Sequence, residues 1–238
     1  EKYKKKNFIL SIINLMKPSS GMDIYIVSEI ESGSGLGGSS ALTVGLISAI
    51  HYIKYSEKIE ANELANYAYL IERMKLGIVG GWQDFYGTIF SGYKFISFNN
   101  DDVKVKSLKL KNEIKKKLEK NIIFFKFGKK RSSSKIQKNR KNLNNIRYTF
   151  NKMNLITKKT KYYLLNGNLK KLGSLILDSW KIKKKINPKA SNSLIDKAIN
   201  TCVYLGAYGC KVLGAGKSGY LMVLSNNSYH EKIKNELN

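Results

Sequence analysis

Ser32-Gly33-Ser34-Gly35-Leu36-Gly37-Gly38-Ser39-Ser40-Ala41 is the stretch on which the reading of this chain turns. Upstream, Met22 to Ile30 alternates apolar residues in the manner of a strand, with Ile24, Ile26 and Ile30 on one face. Downstream, Leu42, Leu46, Ile50 and Ile53 recur at helical spacing, so the glycines form a turn that feeds a buried helix. Gly33, Gly35 and Gly38 satisfy G-x-G-x-x-G, the dinucleotide fingerprint. That fold also requires a parallel strand directly after the helix, carrying an acidic residue for the ribose. The next element is instead a second helix, capped by Asn62 and running from Glu63 to about Lys75. What survives is more general: glycines let backbone N–H groups converge on an anion, and the helix starting at Ser39-Ser40 directs its positive end there. Ser39 and Ser40 are also good N-cap residues in any protein, and two hydroxyls beside a small Ala41 suit a phosphate and its Mg²⁺.

Two further glycine-bearing stretches lie downstream. Glu72-Arg73-Met74-Lys75-Leu76-Gly77-Ile78-Val79-Gly80-Gly81-Trp82-Gln83-Asp84 places Glu72 four residues after Ala68 and seven after Ala65, on the apolar side of its helix. A carboxylate there needs a cation or hydrogen-bond donors; a neighbouring Lys would suffice. Asp84 follows a Gly-Gly break and also suits the first turn of a helix. The third stretch, Gly214-Ala215-Gly216-Lys217-Ser218, imitates a phosphate-binding P-loop, but that loop needs glycine where Lys211 stands. It reads as a tight turn between two strands, over Lys211 to Val223, that approaches a ligand through its backbone.

Between these stretches the chain reads as a helix over Trp82 to Phe90, strands over Tyr93 to Phe98 and Val103 to Leu110, and a lysine-rich helix or linker over 111–120. A strand follows at Ile122 to Phe127, then basic helices through 132–187 and another from Ser191. The pattern is α+β in two halves, with the boundary placed near residue 115.

The 238 residues carry 43 Lys and Arg against 17 Asp and Glu, a net charge of +26, yet are 42% hydrophobic. That is too apolar for a disordered chain, and no apolar run is long enough to span a bilayer. Two cysteines, Cys202 and Cys210, exclude a disulfide scaffold and read as small core residues in a cytoplasmic setting. The charge motivates a rival class, a basic nucleic-acid-binding protein with steeply salt-dependent affinity. Against it, the lysines are densest over 104–185, away from the glycine stretches, and no nucleic-acid-binding signature is present. Nucleic acid and membranes are therefore not the expected partners.

Taken together, the three stretches resemble the GHMP kinases, the superfamily named for galactokinase, homoserine kinase, mevalonate kinase and phosphomevalonate kinase. Residues Gly33 to Ala41 are similar to its ATP-phosphate loop, with Gly38 where serine is usual. Lys211 to Gly219 is similar to its C-terminal glycine motif, with Lys217 and Ser218 where glycines are common. The branch that fits best is the D-glycero-D-manno-heptose 7-phosphate kinases, through Glu72-Arg73, Leu76-Gly77-Ile78, Gly80-Gly81-Trp82-Gln83-Asp84-Phe85-Tyr86 and Gly92-Tyr93, with Ser179-Trp180-Lys181, Lys183, Ser191-Asn192 and Asp196 further on.

The resemblance implies a ribosomal-S5-like N-terminal domain over residues 1–115, lacking its first strands, and a ferredoxin-like C-terminal domain over 116–238. It implies transfer of the γ-phosphoryl of ATP to the anomeric hydroxyl of a heptose 7-phosphate. Gly33, Ser34, Gly35, Leu36, Gly37, Gly38, Ser39, Ser40 and Ala41 would hold the ATP phosphates. Ser40 and Glu72 would hold Mg²⁺, and Asp84 would orient and deprotonate the sugar hydroxyl. Gly80, Gly81, Gly214, Ala215 and Gly216 would line the sugar, and Arg131, beside Ser132, would take its phosphate. A fucokinase-like or galactokinase-like sugar kinase is the near alternative. GHMP kinases open with a strand that this chain does not contain before Pro18, so the 238 residues alone are expected to turn over weakly or not at all, as a fragment or a disrupted remnant would.

Overall fold

In a computed structural model, residues 8–31, 33–78, 80–99, 102–127 and 146–237 are described. The chain divides into two compact units, residues 1–32 with 37–106, and residues 33–36 with 107–238.

The first unit is mainly helical: α1 (Phe8–Met16), α2 (Gly38–Tyr55), α3 (Ala61–Tyr69), a π-helix (Leu70–Lys75), α4 (Gln83–Ile89) and a two-stranded sheet of β1 (Lys94–Asn99) and β2 (Asp102–Ser107). Its core joins Ile12, Val44, Ile47, Ile50, Leu64, Ala65, Ala68, Ile71 and Phe85. In α2 the buried stripe is Thr43, Val44, Ile47, Ile50 and His51, rather than the expected Leu42, Leu46, Ile50 and Ile53; Ile53 is 59% exposed. This helix is apolar on most of its circumference, so α3 and α4, not periodicity, select which side is covered.

Two further expectations give way. Residues 22–30 form no strand: Tyr25 is 89% and Val27 93% exposed. Alternation supplies a strand's faces but not its hydrogen bonds, and among the described residues no strand pairs with this segment. The cap of α3 is Glu60, whose carboxylate accepts from the Asn62 and Glu63 N–H groups at 2.7 and 3.1 Å. Asn62 instead accepts a hydrogen bond from the Tyr86 hydroxyl at 3.0 Å.

The second unit contains α5 (Asn112–Asn121), β3 (Ile122–Phe127), α6 (Ile146–Leu165), α7 (Leu169–Ile186), α8 (Ser193–Tyr204), β4 (Gly209–Val212), β5 (Gly219–Leu224) and α9 (His230–Leu237). The strands form an antiparallel sheet in the order β3-β5-β4, registered with Phe127 opposite Gly219 and Val212 opposite Leu221. Trp180, Ile195, Cys202, Cys210, Val212, Leu221, Val223 and Ile233 make its core. Both thiols are buried there, Cys202 on α8 and Cys210 on β4. Among the described residues no helix is long and apolar enough to cross a membrane.

Candidate active site

Two neighbourhoods gather the residues singled out in the sequence. In the second unit, Gly33–Leu36 lies against the turn between β4 and β5. The Tyr220 N–H donates to the Ser34 carbonyl at 3.2 Å, and the Ser34 hydroxyl accepts from the Leu36 N–H at 3.3 Å. Gly35 has φ +85°, and a Cβ on it would stand 2.8 Å from the Leu213 carbonyl oxygen. A Cβ on Gly214 would stand 2.5 Å from the Gly35 Cα. Two glycine stretches far apart in sequence thus touch backbone to backbone. Gly35→Ala meets both the left-handed φ and the Leu213 carbonyl, and is expected to cost about 1–3 kcal/mol in urea unfolding; an unchanged midpoint would contradict the contact.

Lys217, where the family commonly has glycine, has φ +68°. The turn therefore keeps the left-handed geometry glycine adopts freely, at some cost in strain. The Lys183 ammonium on α7 donates to the Gly214 carbonyl and ties the same turn to a helix. Sequence reading quoted Lys183 without giving it this role.

The first unit holds the other neighbourhood. Gly37, with φ +82°, opens α2, and the first turn carries Ser39, Ser40 and Ala41. Ser40 is buried. The hydroxyls that reach Glu72 belong to its neighbours: Ser39 Oγ lies 3.3 Å and Thr43 Oγ1 2.8 Å from Oε1. Thr43 stands one helical turn beyond Ser39, a spacing that could have flagged it. Glu72 is 2% exposed, in agreement with its place on the apolar side of the helix. Its cation is Arg73 rather than a lysine, with Nη1 2.8 Å from Oε2.

Beyond the π-helix, Arg73 also donates to the carbonyls of Ile78 at 3.3 Å and Gly81 at 3.1 Å. Trp82 stacks on Tyr69 at 4.1 Å. Asp84 is exposed on the first turn of α4, followed by the buried pair Phe85 and Tyr86. The protein thus combines a helix start with converging hydroxyls, one buried carboxylate beside it, and one exposed carboxylate on a neighbouring helix. Arg131 and Ser132 lie outside the described residues.

Glu72, Ser39, Ser40 and Thr43 offer only oxygen donors, the type a hard cation such as Mg²⁺ takes. Among the described residues no three His, Cys, Asp or Glu side chains cluster as a metal cage. Mg²⁺ in phosphoryl-transfer sites is held through one or two carboxylates plus substrate phosphates, so the donor set fits.

Residues 7–92, which include this helix start and both carboxylates, match the GHMP kinases N terminal domain. This stretch is a GHMP kinase N-terminal domain. Over 213 residues the chain is 34% identical to the D-glycero-alpha-D-manno-heptose 7-phosphate kinase of Campylobacter jejuni, covering 86% of this chain and 61% of that protein. It is 25% identical over 226 residues to the bifunctional fucokinase/GDP-fucose pyrophosphorylase of Arabidopsis thaliana, covering 91% of this chain and 21% of that one.

A solved heptose 1-phosphate kinase of Bacteroides thetaiotaomicron superposes with a TM-score of 0.71 at 24% identity, over 100% of this chain and 70% of its own. The mevalonate kinase of Methanococcus jannaschii does so with a TM-score of 0.71 at 22% identity, over 99% of this chain and 73% of its own. The GHMP kinase fold, and with it the α+β class, is that of this chain. The chain spans less than two thirds of the length of the Campylobacter relative.

Proposed function

We propose that the protein is an ATP-dependent sugar kinase that phosphorylates the anomeric hydroxyl of D-glycero-D-manno-heptose 7-phosphate to the 1,7-bisphosphate. The observation that carries this reading is the buried Glu72, held by hydroxyls from the start of α2 within a GHMP kinase domain. The choice of sugar rests on the 34% identity to a heptose 7-phosphate kinase. The names of that relative and of the Bacteroides structure agree on a manno-heptose.

In this reading the main-chain N–H groups of residues 33–41 take the ATP phosphates, and the positive end of α2 favours their charge. Ser40 and Glu72 would hold Mg²⁺, which would supply charge neutralisation to the phosphates. Asp84 aligns the sugar hydroxyl and accepts its proton as the oxygen–phosphorus bond forms, while ADP leaves with the electrons of the broken bond. The roles given to Gly80, Gly81, Gly214, Ala215 and Gly216 at the sugar, and to Arg131 at its 7-phosphate, rest on the family resemblance. Such a reaction serves the cytoplasmic synthesis of bacterial surface-polysaccharide precursors.

A second reading, fucose as acceptor, is favoured by the similarity to the plant fucokinase. The test supplies γ-labelled ATP with heptose 7-phosphate, fucose or galactose, and follows ATP-dependent stabilisation in parallel. Label transferred only to the heptose supports the proposal, and transfer to fucose alone replaces it. Neither transfer nor stabilisation by Mg·ATP would sink the kinase reading altogether.

A further inference from the structure

Arg73 pairs with Glu72 and packs on Phe85, the residue that follows Asp84, yet the transfer reaction gives it no role. Its guanidinium is 8% exposed and spends its donors inside the first unit: Nη1 on Glu72 Oε2 and the Ile78 carbonyl, Nη2 on the Gly81 carbonyl. Its carbon sits 4.9 Å from the centroid of the Phe85 ring, and Phe85 directly follows Asp84. A Cβ on Gly80 would stand 2.5 Å from Nη2, so glycine there leaves room for the guanidinium. One planar group therefore touches the buried carboxylate, the carbonyls of Ile78 and Gly81, and the helix that carries the exposed carboxylate.

The π-helix makes this possible. Consecutive residues on a regular α-helix diverge by about 100° and do not face one another. Glu72 and Arg73 are consecutive, both are largely buried, and their side chains pair at 2.8 Å. The widened turn over Leu70–Lys75 brings both to the inner side, and such local departures from α geometry concentrate at functional sites. Among the described residues the buried Arg73 Nε has no hydrogen-bond partner, an unmet donor retained while the fork reaches three acceptors.

We propose that Arg73 is a positioning residue that fixes the Gly80–Gly81 turn and helix α4 relative to Glu72, and thereby sets where Asp84 meets the acceptor hydroxyl. Its guanidinium touches no reacting atom; it acts through Glu72 and α4. A lysine cannot replace it, because a single ammonium cannot present a planar fork to a carboxylate and two carbonyls together. The proposal rests on the kinase reading for its effect on turnover, but not for its effect on the turn.

The test compares the parent chain with Arg73→Lys by two readouts. In the first, 5-fluorotryptophan NMR reports Trp82, next to Gly81 and stacked on Tyr69, separately from Trp180 in the second unit; Trp82→Phe assigns the signals. The second readout is phosphoryl transfer from γ-labelled ATP. Arg73→Lys is expected to shift or broaden the Trp82 resonance while leaving that of Trp180 in place. It should lower kcat about 10²-fold, the scale of an ångström-sized misplacement, with KM for ATP changed less than about threefold.

An unmoved Trp82 resonance overturns the proposal, as does a rise in KM for ATP alone with kcat retained. If the parent chain neither transfers phosphate to any sugar nor is stabilised by Mg·ATP, while Trp82 still shifts in Arg73→Lys, the kinase reading fails and the anchoring of the turn stands.

Discussion

Asp84→Asn is expected to lower phosphoryl transfer about 10²- to 10⁴-fold, the usual contribution of a positioned general base, while ATP affinity stays within a few fold. The substitution keeps the shape of the side chain and removes its charge and its ability to accept a proton. Asp84 is exposed, and its helix is pinned by Phe85 and Tyr86 at the next two positions, both buried in the core of the first unit. The fold should therefore barely register the change, within about 0.5 kcal/mol. Single-turnover transfer from γ-labelled ATP measures the first quantity, calorimetric ATP titration the second, and urea unfolding the third. Equal turnover in the variant and the parent chain would remove Asp84 from the mechanism. A matched loss of stability would instead make it a helix-terminal acid favoured by the dipole.

Glu72→Ala should strike stability as hard as Asp84→Asn strikes rate. Removing one partner of a buried ion pair leaves the other charge without compensation, at a cost of about 3–5 kcal/mol. Here the survivor is the Arg73 guanidinium, which would keep two carbonyl acceptors but no anion. The hydroxyls of Ser39 and Thr43 lose their common acceptor too. In urea unfolding the paired variant Glu72→Ala/Arg73→Ala should lose less than the sum of the two single variants, as expected for residues in direct contact. A cost below about 1 kcal/mol for Glu72→Ala, or strict additivity, would show that the pair is not the buried link it forms in the structure.

Local signals in the chain were enough to place most elements and the two carboxylates. The burial of Glu72 follows from its spacing to Ala65 and Ala68, which fixes a helix face without knowledge of what covers it. The helix over 83–89 and the strands β1, β2 and β3 stand where glycine breaks and periodicity put them, whereas the lysine-rich segment, readable as helix or linker, is the helix over 112–121. The failures share one cause, since each depended on a partner distant in sequence. The 22–30 segment has alternation but no neighbour to bond, and α2 has several apolar faces among which only α3 and α4 choose. Glu60 competes with Asn62 for the cap because Asn62 is taken by the hydroxyl of Tyr86.

The site was legible in its residue types and less so in its pairings. Ser40 was expected to share Mg²⁺ with Glu72; the hydroxyls that bond this carboxylate in the structure are those of Ser39 and Thr43, a pairing that sequence reading had not singled out. A π-turn leaves no periodic mark in six residues, so the link between Glu72 and Arg73 could not be read from spacing. The contact of Gly35 with Gly214 has no local signal at all.

That last contact bears on how the protein is made. Gly35 leaves the ribosome about 180 residues before Gly214, which at about 5–20 residues per second amounts to roughly 10–40 s. For that interval the segment 33–36 is tethered at the start of α2 with nothing to settle on, because the Tyr220 N–H on β5 that donates to the Ser34 carbonyl and the Leu213 turn do not yet exist. The first helices can collapse around Ile47 and Phe85 in the meantime, since their contacts are nearer in sequence. The glycine stretch closest to the N-terminus is thus one of the last pieces of backbone to find its native neighbour, and its conformation is inherited from the end of synthesis rather than its beginning.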